Sequence, residues 1–160
     1  MEKIDRILNH DLFNECIEKN KMAEAARCFC HHDMGHFLDV ARIAMILNLQ
    51  EHVGIEQDVI YGAALLHDIG RFKQYEDGTP HETVSARLAP AILKDCGYTD
   101  KETDVIVTAI ANHRNQEIKM RQDMSGILYR ADKASRSCFS CEMKAECNWK
   151  NDKKNMHITL

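Results

Sequence analysis

Apolar residues recur every three or four positions along most of this 160-residue chain, and residues that break helices are scarce. Ile4, Ile7 and Leu8 follow this spacing near the start, and Val40 and Ala44 follow it further along. Only two prolines and seven glycines interrupt the sequence, and the alternation typical of strands is rare. The pattern therefore predicts an all-α fold in which helices pack as a compact bundle.

The helical spacing predicts seven helices, whose ends are marked by glycine and by polar capping residues. They cover residues 2–19, 22–29, 34–50, 56–69, 81–95, from 99 or 100 to 112, and 123–137. The run Asp77-Gly78-Thr79-Pro80 predicts a loop over residues 71–80. We expect one domain over residues 1–137 and interpret the Cys- and Lys-rich residues 138–160 as a C-terminal extension.

Composition excludes several classes of protein. The net charge of -4 argues against a nucleic-acid polymer as partner, because such binding usually needs a basic face. The sequence lacks an apolar run long enough to cross a membrane and an apolar signal-peptide core at its start, so we expect no membrane association. Seven cysteines without a secretory signal favour reduced thiols and a cytoplasmic location.

Six ionisable residues continue the apolar faces of predicted helices, where a charge is costly to bury. They are His36, His67, Asp68, His81, His113 and Asp132. A single histidine in such a position is usually a hydrogen-bonded core residue. Two aspartates beside four histidines instead favour a divalent metal, which supplies positive charge and binds neutral imidazole.

Three segments resemble the HD superfamily of metal-dependent phosphohydrolases: HFLDVARIA from residue 36, LLHDIGRF from residue 65 and LYRADKASR from residue 128. The resemblance covers roughly residues 30–137. It implies a helical HD domain with the metal site between the helices. It also implies a first metal site built from the side chains of His36, His67, Asp68 and Asp132.

The two histidines between the doublet and the final aspartate resemble those of superfamily members that hold two metals. The resemblance thus implies a second site of His81 and His113, with Asp68 bridging the two ions. We expect one or two divalent ions per chain. Ligands that mix imidazole and carboxylate favour iron, manganese, cobalt or zinc over magnesium.

The resemblance implies hydrolysis of a nucleotide, a dinucleotide or another small phosphate ester by metal-activated water. The chain is similar to small bacterial HD hydrolases that cleave dinucleoside polyphosphates. Cyclic-dinucleotide phosphodiesterases carry a Gly-Tyr-Pro signature, whereas this chain has Gly97-Tyr98-Thr99 in a different context. Two alternatives stay open: a non-catalytic module that binds metal or nucleotide, and a di-iron oxygenase of the HD type. A homo-oligomer is also left open.

We assign catalytic roles to Asp68, Arg71 and Lys133, and expect the two cations to hold a small-molecule phosphate substrate. Arg71 follows the His-Asp doublet and Lys133 follows Asp132. Arg114 is a further candidate. His31 or His32 is a candidate general acid, although a surface or helix-entry role is favoured for both.

The tail contains three cysteines in the spacing Cys138-x2-Cys141-x5-Cys147. They fit part of a zinc site if His157, Cys28 or Cys30 supplies a fourth ligand. Because zinc sites usually have paired spacings, we favour free thiols. Trp149 is expected to pack the tail against the rest of the chain.

Overall fold

The computed structural model describes residues 2–158, which form eight α-helices and no strand, and this confirms the predicted all-α class. The helices are α1 (Glu2–Leu8), α2 (Asp11–Ala23), α3 (Met34–Gln50), α4 (Gln57–Leu66), α5 (Arg71–Asp77), α6 (His81–Asp95), α7 (Asp100–Asn112) and α8 (Met124–Ala134). Short 3-10 helices cover Gln116–Ile118, Cys138–Ser140 and Asn151–Lys153. No helix in the described part of the chain is long and apolar enough to cross a membrane.

Helix α4 lies at the centre of the bundle and contacts α1, α3, α6, α7 and α8. Its residues from Val59 to Leu66 are buried except for Tyr61, as expected of a helix with neighbours on every side. Helix α3 packs against α4 and α8, and α7 packs against α6 and α8. The first residues beyond α4 are His67 and Asp68, so the core helix delivers the doublet to the middle of the molecule.

Two predictions for the N-terminal region were wrong. The single helix over residues 2–19 is divided into α1 and α2, because His10 caps α2 and its Nδ1 accepts a hydrogen bond from Leu12 N at 3.2 Å. The helix predicted over residues 22–29 ends at Ala23, and residues 24–29 form turns and irregular structure. Here Glu24 bonds to the backbone and ring of His32, and this interaction replaces continued helical pairing.

Two further boundaries differ from the sequence prediction. The helix predicted over residues 56–69 ends at Leu66, and the loop predicted over residues 71–80 contains helix α5. Of the predicted turn residues, Gly78 ends α5, and it has a left-handed backbone conformation with φ 79°. Residues 78–80 alone form the connection to α6.

The tail lies against the end of α8, which stops at Ala134 rather than at the predicted residue 137. Asn155 Nδ2 donates hydrogen bonds to Lys133 O at 3.1 Å and Ala134 O at 2.8 Å. The guanidinium of Arg136 lies 4.8 Å from the centre of the Trp149 ring. These contacts agree with the expected packing of Trp149 and fix the tail beside α8.

Candidate metal centre

The Asp68 carboxylate is buried between two groups of side chains, with one oxygen facing each group. Its Oδ2 lies 3.4 Å from His67 Nε2 and 3.8 Å from His36 Nε2. Its Oδ1 lies 2.9 Å from His81 Nε2 and 3.5 Å from His113 Nε2. The carboxylate therefore lies between the two groups, and its role as a bridging ligand stays a prediction.

The first group consists of His36, His67 and Asp132, whose donor atoms all lie within 4.8 Å of one another. Asp132 Oδ1 is 3.6 Å from His36 Nε2 and 3.9 Å from His67 Nε2. The second group consists of Asp68, His81 and His113, within the same limit. The structure thus brings all six predicted ligands together in two groups, and each group could hold a metal ion.

His67 and His113 directly follow α4 and α7, and each ring is hydrogen-bonded to a backbone carbonyl near the end of the preceding helix. The Nδ1–H of His67 donates to Ala64 O at 2.7 Å, and the Nδ1–H of His113 donates to Ile110 O at 2.7 Å. In both cases the acceptor is a carbonyl of the last helical turn, and Ile110 O also accepts from His113 N at 3.4 Å. The bond fixes the ring and leaves Nε2 as the free nitrogen, which faces Asp68.

The other two histidines lie in the first turns of α3 and α6. Asp33 caps α3 by accepting from His36 N at 3.0 Å, and Ser135 Oγ lies 3.2 Å from His36 Nδ1. His81 begins α6, and Gln74 Oε1 lies 2.6 Å from its Nδ1. All four imidazoles are therefore held through Nδ1 and direct Nε2 toward the two carboxylates.

Gly70 allows the segment that follows α4, residues 67–70, to lie close to α6. A Cβ atom at Gly70 would lie 2.6 Å from Val84 Cβ and 2.7 Å from Ser85 N. Gly70 N also donates to Ser85 Oγ at 2.9 Å. Because α6 starts at His81, this close approach places His81 next to the doublet.

Several polar atoms at the centre are buried without a hydrogen-bond partner in the described structure. They include His36 Nε2, His67 Nε2, Asp68 Oδ1 and Asp132 Oδ1. Asp68 Oδ1 has His81 Nε2 at 2.9 Å, but the contact lacks hydrogen-bond geometry. Unpartnered buried polar atoms are rare and costly. Converging lone pairs from imidazole and carboxylate fit a divalent transition metal.

The electrostatics of the centre favour a bound cation. Burial opposes the charges of Asp68 and Asp132, yet their carboxyl pKa values are well below the usual range. His67 is the main neighbour that lowers the pKa of Asp68, and Lys133 is the main one that lowers the pKa of Asp132. The Asp68 carboxylate in turn raises the pKa of His67 against the effect of burial. Two negative charges therefore attract positive charge to one buried point.

Cations surround the centre on the side of Asp132. Lys133 Nζ contacts Asp132 Oδ2, and Arg136 Nη2 lies 3.5 Å from Asp132 Oδ1. Arg71 lies on the other side, with Nη1 2.8 Å from His81 Nδ1. The predicted phosphate-binding cations Arg71 and Lys133 thus both adjoin the ligands. Arg114 points to Glu82 at 3.3 Å instead.

The HD domain family matches residues 33–137, which include all six candidate ligands. The chain belongs to the HD domain family. An HD domain usually binds divalent metals, in agreement with the two groups of donor atoms.

Relatives of this HD protein cover different shares of its length. It is 43% identical to an uncharacterized protein of Clostridium beijerinckii over 99% of both chains. It is 31% identical to Ribonuclease Y of Rubrobacter xylanophilus over 64% of its own length, but that match spans only 18% of the ribonuclease. A predicted HD superfamily hydrolase from an uncultured Thermotogales bacterium has the same fold, with a TM-score of 0.65 at 22% identity over 91% of this chain and 80% of that one.

Sequence reasoning underestimated His32, which lies just before the HD match. A surface or helix-entry role was favoured, but the ring is buried, and its Nδ1–H donates to Glu24 Oε1 at 2.5 Å. Its Nε2 lies 3.7 Å from Asp68 Oδ2. Burial lowers the pKa of His32 to about 4. Burial alone would raise the pKa of Glu24, but the hydrogen bonds from His32 lower it to about 2. The neutral imidazole thus directs Nε2 toward the first group, and Arg136 Nη2 lies 3.5 Å from the same nitrogen.

The cysteines of this HD protein are all free thiols in the described chain. Cys138 is buried, and Cys141 and Cys147 are partly exposed. Within residues 2–158, neither group of three clustered metal-binding side chains includes a cysteine. The structure therefore does not bring the tail cysteines together as a group of three metal-binding side chains within its described residues, and their state as free thiols stays a prediction.

Proposed function

We propose that this HD domain is a metal-dependent phosphohydrolase that acts on a nucleotide or another small phosphate ester. One observation carries the proposal: the Asp68 carboxylate directs one oxygen toward each of two groups of metal-binding side chains. Two ions close together can stabilise both the attacking and the leaving oxygen of a displacement, and a shared carboxylate would hold the ions near each other. Membership in a family that includes hydrolases supports the same chemistry.

His36, His67 and Asp132 would hold one ion, and His81 and His113 the other, with Asp68 shared. The bound metal supplies a water of lowered pKa and positive charge toward phosphate oxygens. The abundance of imidazole favours iron, manganese, cobalt or zinc. Glu24 orients His32, whose Nε2 lies near the first group and would become a further ligand only by giving up its contact with Arg136 Nη2.

Residues of the chain beside the ligands bind and position the substrate. Lys133 contacts Asp132, so its ammonium group can reach a phosphate held at the first group. Arg71 lies against His81, where its guanidinium can bind a phosphate oxygen at the second group. The buried, apolar helices below the ligands exclude bulk water from the carboxylates and strengthen these charge interactions.

Phosphate release tests the proposed function. Protein purified without chelator is supplied with manganese, iron, cobalt or zinc and assayed against nucleotides, dinucleotides and nitrophenyl phosphates. We expect turnover with at least one substrate, its loss in Asp68→Asn, and its retention in Asp39→Asn. Asp39 is an exposed aspartate of α3 that pairs only with nearby Arg42 at 3.8 Å in the described structure. Metal binding without hydrolysis of any substrate would contradict the proposal.

A further inference from the structure

A large cleft lies beside the candidate metal centre, between α8, the segment after α7 and the tail. Its volume is about 870 Å³, within the range of small-molecule binding sites. Lys133 and Arg114 line it, and these residues directly follow Asp132 and His113. The opposite wall comes from residues 148–155, which lie outside the HD match. Lys133, which contacts the ligand Asp132, therefore joins the candidate metal centre to a cleft whose far wall is the tail.

The cleft is strongly basic although the whole chain carries a net charge of -4. Asp152 is the one acidic residue in its lining. The cationic residues of the tail wall are Lys150, Lys153 and Lys154, and Lys119 faces them from the segment after α7. Among residues 2–158, no carboxylate lies within ion-pair distance of Lys119, Lys150 or Lys153. Their charge is therefore available to an anion.

Three other cations of the lining already have carboxylate partners. Arg114 pairs with Glu82 at 3.3 Å, Arg130 pairs with Glu51 at 2.7 Å, and Lys133 contacts Asp132. Arg130 also donates to Lys119 O at 2.6 Å and thereby fixes the segment after α7. The paired cations build the walls, whereas the unpaired lysines lie on the exposed surface of the cleft.

Hydrogen bonds between the tail and α8 form the cleft without a ligand. Asn155 holds the last carbonyls of α8, and its own carbonyl accepts from Phe139 N at 2.9 Å. Lys154 Nζ donates to Lys144 O at 2.7 Å and closes the tail on itself. A wall that is already ordered loses less conformational entropy when it binds an anion.

Two aromatic rings also line the cleft, those of Tyr129 and Trp149. Both are partly exposed, and Lys133 Nζ lies 5.1 Å from the Tyr129 ring centre. A nucleobase stacks on such rings with little dependence on its identity. The cleft therefore combines cations for phosphates with aromatic surface for a base.

We propose that this cleft binds a nucleoside polyphosphate, with its phosphate chain running from Lys133 along Lys150 and Lys153. This inference rests on the proposed function only for the role of the ligand as substrate. The bounded volume and the overall acidity of the chain favour a small nucleotide over a nucleic-acid polymer. The tail thereby becomes part of the substrate site rather than a passive extension.

Trp149 is the single tryptophan of the chain, so its fluorescence reports on the cleft. The probes are inorganic tripolyphosphate and a nucleoside triphosphate whose bridging oxygens are replaced by methylene groups. The test variant is Lys150→Glu/Lys153→Glu. The control is Lys94→Glu/Lys101→Glu, two exposed lysines outside the cleft that give the same change in net charge.

We expect the test variant to bind both probes about tenfold or more weakly, while the control binds as the unaltered chain does. We also expect the nucleotide analogue to bind more tightly than tripolyphosphate, because only the nucleotide has a base to stack. Circular dichroism checks that both variants are folded. Equal weakening in both variants would overturn the proposal, since only the overall charge would then matter.

A short single-stranded RNA is the competing ligand. If it displaces the nucleotide analogue at lower concentration than the free nucleotide does, the assignment to a small nucleotide is overturned. Hydrolysis of nitrophenyl phosphate by the unaltered chain tests the proposed function separately. Absence of hydrolysis of this and every other phosphate substrate tested contradicts the proposed function, while the fluorescence titration still decides whether the cleft binds nucleotides.

Discussion

The side chain of Asn20 holds the backbone of Asp68: Asn20 Nδ2 donates to Asp68 O at 2.9 Å. Asn20 Oδ1 accepts from Phe72 N at 2.8 Å, so one buried amide joins both ends of the segment between α4 and α5. Helix α2, which lies outside the HD match, thereby fixes the position of the central carboxylate.

We predict that Asn20→Ala destabilises the fold. The substitution leaves Phe72 N buried without a partner, at a cost of about 1–3 kcal/mol, and removes one of the two hydrogen bonds to Asp68 O, which keeps its bond from Arg71 N. Urea unfolding measures the change in the free energy of unfolding. Asn14→Ala, at an exposed position of the same helix, is the control and should change it little. Equal stability of the two variants would refute the role of Asn20.

Glu24→Gln should weaken metal binding while the fold is retained. The carboxylate holds the Nδ1–H of His32, and an amide in its place orients the ring less firmly. Loss of such a supporting contact typically costs about 10- to 100-fold in metal affinity. Competition with a chromogenic chelator measures the affinity. Glu15→Gln alters an exposed residue of α2, and its metal affinity should equal that of the unaltered chain. An unchanged metal affinity in Glu24→Gln would contradict the role of Glu24.

Lys133→Ala should lower kcat/KM with the metal content unchanged. Loss of one charge-assisted contact to phosphate costs about 1.5–3 kcal/mol, or about 10- to 150-fold if it acts in the transition state. Kinetics on metal-replete protein provide the measurement, with Lys94→Ala as the control. An unchanged kcat/KM would contradict a role for Lys133 in phosphate binding. The ammonium group would then serve only to neutralise Asp132.

His113→Ala should empty the second group and spare the first. His113 Nε2 is 3.5 Å from Asp68 Oδ1 but takes no part in the group of His36, His67 and Asp132. We expect about one metal ion fewer per chain by mass spectrometry, relative to the unaltered protein. His52→Ala changes an exposed histidine and serves as the control. An unchanged metal count in His113→Ala would argue against a second ion.

The six candidate ligands could be singled out from the sequence because each lies on, or directly beside, the apolar face of a predicted helix. His36, His81 and His113 lie where the spacing placed them, and Thr99 caps α7 as one of the two expected residues. Which metals or substrates these residues bind stays a prediction, as do the domain boundary, the cytoplasmic location and the oligomeric state.

The sequence did not predict features that depend on contacts between distant segments. Glutamate and histidine are usually exposed, so the sequence gives no sign that Glu24 and His32 are buried. Only their hydrogen bond to each other and the nearby Asp68 explain their burial. Helix α5 is short and has one buried apolar residue, Phe72, so its periodicity is weak. The contact of Arg136 with Trp149 also escaped prediction, because it joins the end of α8 to the tail.

The metal content of Asp68→Ala tests most directly the claim that one carboxylate serves two metal sites. Chains are loaded with manganese, iron, cobalt or zinc, freed of unbound ion and analysed by mass spectrometry, beside Asp39→Ala as the control. We predict one or two ions in the unaltered chain and in Asp39→Ala, and almost none in Asp68→Ala. Full metal content in Asp68→Ala, or no retained metal in the unaltered chain, would contradict the account.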